Sequence, residues 1–93
     1  MKVTVKLTAA FAQLTLKKSI SCELVENADL FSLIDCLDAE FPSIKQRLCH
    51  DDSRILDSIN IYVNGDNVRH SEGLKTILKN ADIINIIPAV AAG

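Results

Sequence analysis

The chain runs out through Pro88-Ala89-Val90-Ala91-Ala92-Gly93 to a free α-carboxylate, and that carboxylate is the group its pattern best equips for reaction. Pro88 has no N–H to give a sheet ladder and fixes its own φ, so the apolar run Ile83-Ile84-Asn85-Ile86-Ile87 is expected to end there as a strand. Residues 89–93 then leave the packed body, giving a β-rich domain over residues 1–88 and a tail over 89–93. Five extended residues at about 3.3 Å each reach roughly 17 Å, enough to carry Gly93 into a recessed site on another protein. This predicts a reacting group presented to a partner, with no catalytic residue of the chain's own.

The other chemistry-bearing residues form no convincing constellation. Cys22, Cys36 and Cys49 are odd in number, irregularly spaced and without a C-x-x-C pair, which points to reduced thiols and away from a disulfide framework or zinc knuckle. Cys22 shares an alternation face with Ile20 and Leu24 and reads as a small buried apolar side chain. Cys36 is expected on a helix flank. Cys49 stands beside His50, but neighbouring residues rarely aim at each other and no third group orients the pair, so a nucleophile–base reading is disfavoured. His50 and His70 lack ligand spacing with any cysteine or carboxylate, which gives no metal site. No glycine-rich phosphate loop exists, so no cofactor is expected on this chain.

Composition narrows the class. Ninety-three residues allow one domain with a modest core. Ten Lys and Arg against twelve Asp and Glu give a net charge of −2, no basic footprint for nucleic acid and no electrostatic draw to anionic membranes. The opening Met1-Lys2-Val3-Thr4-Val5 alternates polar and apolar residues, without the apolar run of a signal peptide or membrane span, so a cytoplasmic protein is expected.

The elements that must position the tail follow from periodicity. Val3, Val5 and Leu7 on one face and Lys2, Thr4 and Lys6 on the other predict a half-buried first strand. Residues 9–15 read as a loop leading to a second alternating run, Leu16, Lys18, Ile20, Cys22 and Leu24, able to pair with the first as a hairpin. Asp29 is a candidate N-cap for a helix to about Glu40, because Leu30, Leu33, Ile34, Leu37 and Phe41 recur at helical spacing until Pro42 halts the run. Residues 43–48 predict a short helical turn anchored by Ile44 and Leu48, and residues 49–54 a solvated loop. Ile59, Ile61 and Val63 alternate with Asn60, Tyr62 and Asn64 in a third strand, ended by the strong turn signal Asn64-Gly65-Asp66. A short strand over residues 67–69, a loop with a small helical turn over 73–78 and a turn over 79–82 lead to the last strand. The order ββαβ(β)β, with one main helix packed across a mixed sheet whose first and last strands lie side by side, predicts an α+β fold of the β-grasp type.

Asn60-Ile61-Tyr62-Val63-Asn64, Val68-Arg69, Gly73-Leu74, Thr76, Asp82 and Ile87-Pro88-Ala89-Val90-Ala91-Ala92-Gly93 resemble the ubiquitin-like sulfur carriers of the MoaD/ThiS family. The resemblance spans the chain, is strongest from Asn60 onward, and is similar in particular to the carrier of the cysteine-biosynthesis branch. It implies that Gly93 is adenylated by an ATP-dependent E1-like enzyme and converted to a thiocarboxylate that donates sulfur. ATP is then bound by the activating partner. A PLP-dependent, cysteine-synthase-like acceptor and a product-releasing metalloprotease are further implied partners. Within the family the alternative is the small subunit of molybdopterin synthase. Outside it stand a protein modifier joined through Gly93 to target lysines and an interaction module with an inert tail.

The family ends in Gly-Gly, whereas here Ala92 precedes Gly93. The extra methyl removes the easy positive-φ option of glycine, and in a channel shaped for two glycines it would clash. Three readings stand open: a partner with a wider channel, a substitution that weakens transfer or proteolytic release, and lost carrier activity. The pleat supplies a candidate docking surface. If Ile84 and Ile86 face the core beside Val3 and Val5, then Ile83, Asn85 and Ile87 face outward at the base of residues 89–92. Two readings of Ile83 and Ile87 remain, a partner patch and coverage by a local element. Tyr62 either joins the patch or serves as a cross-strand packing residue.

Overall fold

The computed structural model describes residues 1–51 and 54–88 of the chain. Strand β1 (Lys2–Leu7) pairs antiparallel with β2 (Ser19–Glu23), Val3 opposite Cys22 and Val5 opposite Ile20. On its other side β1 runs parallel to β5 (Ile83–Pro88), with Val5 opposite Ile84 and Leu7 opposite Ile86. Strand β3 (Ile59–Val63) pairs antiparallel with β5 and then with the two-residue β4 (Asp66–Asn67), so the sheet order is β2-β1-β5-β3-β4. The expected adjacency of first and last strands is thus present, and β5 occupies the centre.

The inward residues at these registers form one apolar layer. Val3, Val5, Leu7, Ile20, Cys22, Ile59, Ile61, Ile84 and Ile86 are buried in a common cluster with Leu30, Leu33, Ile34 and Leu37. The last four belong to α2 (Leu30–Glu40), which begins where the Asp29 carboxylate accepts the Ser32 N–H at 2.9 Å, an N-cap that satisfies one of the helix's orphan donors. A second bond, from Ser32 Oγ to the same Asp29 oxygen at 2.9 Å, steadies the cap. Beyond Phe41 and Pro42 the backbone turns left-handed at Ser43 and opens α3 (Ile44–Leu48), whose Ile44 and Leu48 complete the core. Burying each such side chain contributes about 1.5–3 kcal/mol.

Four sequence expectations are corrected. Residues 9–15 are not a loop but helix α1 (Ala9–Thr15), tucking Phe11 into the core and ending where the Thr15 hydroxyl donates to the Phe11 carbonyl at 3.1 Å. The second strand begins only at Ser19, because Leu16 sits in the left-handed region at the end of α1 and is 88% exposed. The expected strand at 67–69 is instead β4 followed by a 3₁₀ turn (Val68–His70), whose start is capped by the Asn67 side chain accepting the Arg69 N–H at 2.9 Å. Cys49 is buried, not solvated: its backbone bridges to Ile55, and His50 N–H donates to the Arg54 carbonyl at 3.0 Å.

Candidate functional site

Alternation turns Ile83, Asn85 and Ile87 away from the helical layer, because Ile84 and Ile86 between them are fully buried. The strand registers set their neighbours: Ile83 lies opposite Thr4, Asn85 between Lys6 and Tyr62, and Ile87 opposite Asn60. Tyr62 lies opposite Asn67 on its other side. The outer face is therefore a row of polar side chains interrupted by two exposed isoleucines, Ile83 at 40% and Ile87 at 37%, with a half-buried Tyr62 between the Asn85 and Asn67 rows. Among the described residues no element covers the isoleucines. Tyr62 has asparagine at both registered positions, and its diagonal neighbours on β5 are Ile83 and Ile87, so the ring shares their face. Residues Ala89, Val90, Ala91, Ala92 and Gly93, which carry the reacting-group expectation, lie outside the described residues.

The base of β5 is anchored by polar groups whose role the sequence reading did not assign. The Asn64 amide donates to an Asp82 carboxylate oxygen at 2.8 Å, while Lys79 N–H donates to the other oxygen at 2.8 Å. Asn64 also accepts the Ile83 N–H on its side-chain oxygen at 2.9 Å, and its own N–H donates to the Ile83 carbonyl at 2.8 Å. The Asp82 carbonyl receives the Thr4 N–H at 3.0 Å. Asp82 is 8% exposed, so its oxygens depend on these donors in place of water. The signal available in sequence was the Asn-Gly turn itself: Asn64 tolerates the left-handed φ of 52° it adopts there and leaves its side chain free to reach across to β5.

The remaining candidates separate. His50 and His70 are exposed, and no group of three His, Cys, Asp or Glu side chains converges on a metal position among the described residues. Cys49 is buried where His50 is exposed, so the adjacent pair faces different ways. Cys36 is exposed on α2, as expected of a flank, and Cys22 is buried on β2. A cleft of about 820 Å³ between the α2 N-terminus and the 3₁₀ turns at Val68–His70 and Gly73–Lys75 is lined by Phe31, Arg54, Asp57, Arg69, Glu72 and Leu74 among others, but by none of Tyr62, Ile83 and Ile87. The Arg69 guanidinium there donates to the Leu56 and Ile59 carbonyls. No helix among the described residues is long and apolar enough to cross a membrane.

A five-stranded mixed sheet with its central strands parallel, one helix across the inner face and an outer face left open defines a ubiquitin-like β-grasp protein. The ThiS family matches residues 5–93, and the chain belongs to that family. It is similar to the sulfur carrier protein CysO of Mycobacterium tuberculosis, at 39% identity over 66 residues, 69% of this chain and 71% of that one. Small archaeal modifier protein 3 of Haloferax volcanii aligns over all 93 residues, the full length of both chains, at 28% identity. Among solved structures, the BexX/CysO complex of Amycolatopsis orientalis contains a chain that superposes with a TM-score of 0.84 at 34% identity, over 98% of this chain and 99% of that one. The protein is thus of the MoaD/ThiS sulfur-carrier type, a carrier rather than an enzyme.

Proposed function

We propose that the protein carries sulfur as a thiocarboxylate on Gly93 and donates it to the synthesis of cysteine or a related sulfur amino acid. The observation that carries this reading is the likeness to CysO, with 39% identity over 66 residues. The chemistry is consistent with it. A carboxylate is a poor acceptor until one oxygen belongs to a good leaving group. An E1-like enzyme supplies that group from ATP: the Gly93 carboxylate displaces pyrophosphate, and a sulfur nucleophile then displaces AMP from the acyl adenylate. The carrier contributes a steric handle, the terminal glycine whose backbone, lacking Cβ, passes a narrow channel.

In this reading the outer sheet face is the surface that the activating enzyme and the acceptor grip, with Ile83, Ile87 and Tyr62 as its apolar contacts and residues 89–92 as the extended lead to the active site. Two exposed isoleucines flanking an aromatic within a polar field suit a partner that releases the carrier after each transfer, since a small apolar centre with a polar rim favours transient association. Alanine can adopt an extended backbone without strain, so its methyl alone does not bar Ala92 from such a lead. The acceptor is a PLP-dependent, cysteine-synthase-like enzyme, followed by a metalloprotease that frees the product.

The experiment is sulfur transfer: the chain loaded with isotope-labelled sulfide is mixed with the organism's PLP-dependent synthase and its substrate. Label in a sulfur amino acid supports the reading, and loaded carrier that never discharges to that synthase contradicts the cysteine branch. A second reading, a protein modifier joined through Gly93 to lysines, is favoured by the full-length match to small archaeal modifier protein 3. Isopeptide-linked adducts in lysate, absent when Gly93 is deleted, would select it.

A further inference from the structure

The chain up to Cys22 carries Lys2, Lys6, Lys17 and Lys18 and no acidic residue, while all twelve Asp and Glu follow from Glu23 onward. In a protein of net charge −2 this leaves one edge of the molecule cationic. Strand β1 runs parallel to β5 with Leu7 opposite Ile86, and Leu7 N–H donates to the Lys18 carbonyl at 2.9 Å. Helix α1 and the turn at 16–18 therefore lie at the end of the sheet where β5 reaches Pro88.

Leu16 occupies that turn at a conformational cost. Its φ of 61° lies in the left-handed region, which glycine holds more easily than any residue with a Cβ. The turn is locked from inside: the buried Thr15 hydroxyl lies 3.1 Å from the Phe11 carbonyl and 3.0 Å from that of Lys17, and accepts the Lys17 N–H at 3.2 Å. Yet the side chain held there adds little to the core, being 88% exposed. With Ala12, Gln13, Lys17 and Lys18 it walls a shallow hollow of about 350 Å³. A strained residue that gains no burial marks a constraint from function.

We propose that Leu16, Lys17 and Lys18, continued by Lys6, are a second docking point for the activating enzyme, which meets them with an apolar socket rimmed by carboxylates. This rests on the reading of Gly93 as the group that enzyme adenylates. Five residues follow Pro88, a reach of roughly 17 Å when fully extended, so an enzyme working on Gly93 must stand against this end of the body. There it faces exposed charges of one sign. Lys6, exposed and registered with Asn85, continues the patch toward the face that carries Ile87 and Tyr62. The lysines steer an acidic surface in and raise the association rate, while Leu16 in its socket slows dissociation.

The test measures binding of the full chain to the organism's E1-like enzyme by surface plasmon resonance at low and high salt, with thermal midpoints taken on the same proteins. Leu16→Gly is expected to keep or raise the midpoint, because glycine suits a φ of 61°, and to weaken binding about fivefold or more, chiefly through faster dissociation. A variant carrying Lys17→Glu and Lys18→Glu is expected to associate about tenfold more slowly at low salt and to lose the wild-type weakening by salt. Unchanged affinity in Leu16→Gly, a loss there matched by a lowered midpoint, or unchanged salt dependence in the lysine variant would each overturn the proposal. Sedimentation with phosphatidylserine vesicles that needs Lys17 and Lys18, with enzyme affinity unchanged, would assign the patch to a membrane and overturn it too. Intact mass of the wild-type chain after incubation with the same enzyme, ATP and sulfide separates the two readings. Loading of Gly93 beside any of those results overturns the patch alone, whereas a wild-type chain neither bound nor loaded overturns the reading of Gly93 and the patch with it.

Discussion

Asn64 and Asp82 are joined by a 2.8 Å hydrogen bond between residues eighteen apart in sequence, and that bond fixes where β5 begins. Asn64 closes the turn after β3, while Asp82 closes the turn before β5 by accepting Lys79 N–H at 2.8 Å. Because side chains alternate along a strand, a slip of one residue here would bury Ile83 and Ile87 and expose Ile84 and Ile86. The clamp therefore decides which isoleucines face outward.

Asp82→Ala is expected to destabilise the fold by about 1–3 kcal/mol, because it removes the acceptor and leaves the Asn64 amide and the Lys79 N–H without partners in a partly buried site. Asp82→Asn should cost less, since it keeps one oxygen. Urea denaturation with an unchanged slope checks both, and a loss for Asp82→Ala below about 0.5 kcal/mol would remove the clamp from the account.

Leu37 is buried to 1% against the sheet. Leu37→Ala should cost about 2–5 kcal/mol by leaving a cavity that the neighbouring α2 and β-strand residues fill only partly. Below the lowered midpoint the variant should still be loaded with sulfur, since the outer face and residues 89–93 are unchanged. Stability and loading measured on the same preparation separate the two effects.

On the outer face the expectation reverses. Ile83→Asp and Ile87→Asp lie at positions already 40% and 37% exposed, so each should change stability by less than about 1 kcal/mol. Each should weaken binding to the E1-like enzyme by roughly tenfold or more, through a charge placed in the centre of the contact. Calorimetric titration checks this. Unchanged affinity for both variants would move the docking surface elsewhere.

Alkali tests the environment of Cys22. Its pKa is raised from 9.0 to about 11 on folding, chiefly by burial. Between those values the unfolded chain releases the thiol proton and the folded chain keeps it, so the stability this group contributes is complete below pH 9 and is lost as pH rises through about 11. The loss is on the order of 2–3 kcal/mol. Under reductant, Cys22→Ala should show a correspondingly flatter decline over that window. Parallel profiles would contradict a buried, protonated thiol.

Much of the fold was legible because burial wrote it as periodicity. Val3, Val5 and Leu7, the Leu30, Leu33, Ile34 and Leu37 stripe behind Asp29, and the Asn64-Gly65 turn each carry a local signal that the tertiary structure reinforces. Helix α1 was not legible: residues 9–15 read as a loop, and Leu16, at its left-handed end, reads as the first member of the alternating run that follows. Phe11 is its one deeply buried apolar residue, and Thr8 gives its start no side-chain cap. The burial of Cys49 depends on a bridge to Ile55, a pairing no short window reveals. The outer face was readable from the pleat alone, whereas the Asn64–Asp82 clamp that sets it joins two turns far apart in sequence.

The central claim rests on Gly93, and intact-protein mass spectrometry tests it most directly. The chain is incubated with the organism's E1-like enzyme, ATP and a sulfide source, beside a no-ATP control, an Ala92→Gly variant and a chain lacking Gly93. The account predicts an ATP-dependent exchange of one oxygen for sulfur, located on Gly93, in both the native chain and Ala92→Gly. The truncated chain should stay unmodified with its melting temperature nearly unchanged. Exchange in Ala92→Gly alone would mean that this ending blocks activation, and no exchange in either chain by an enzyme shown to load another carrier would contradict a carrier role for this protein.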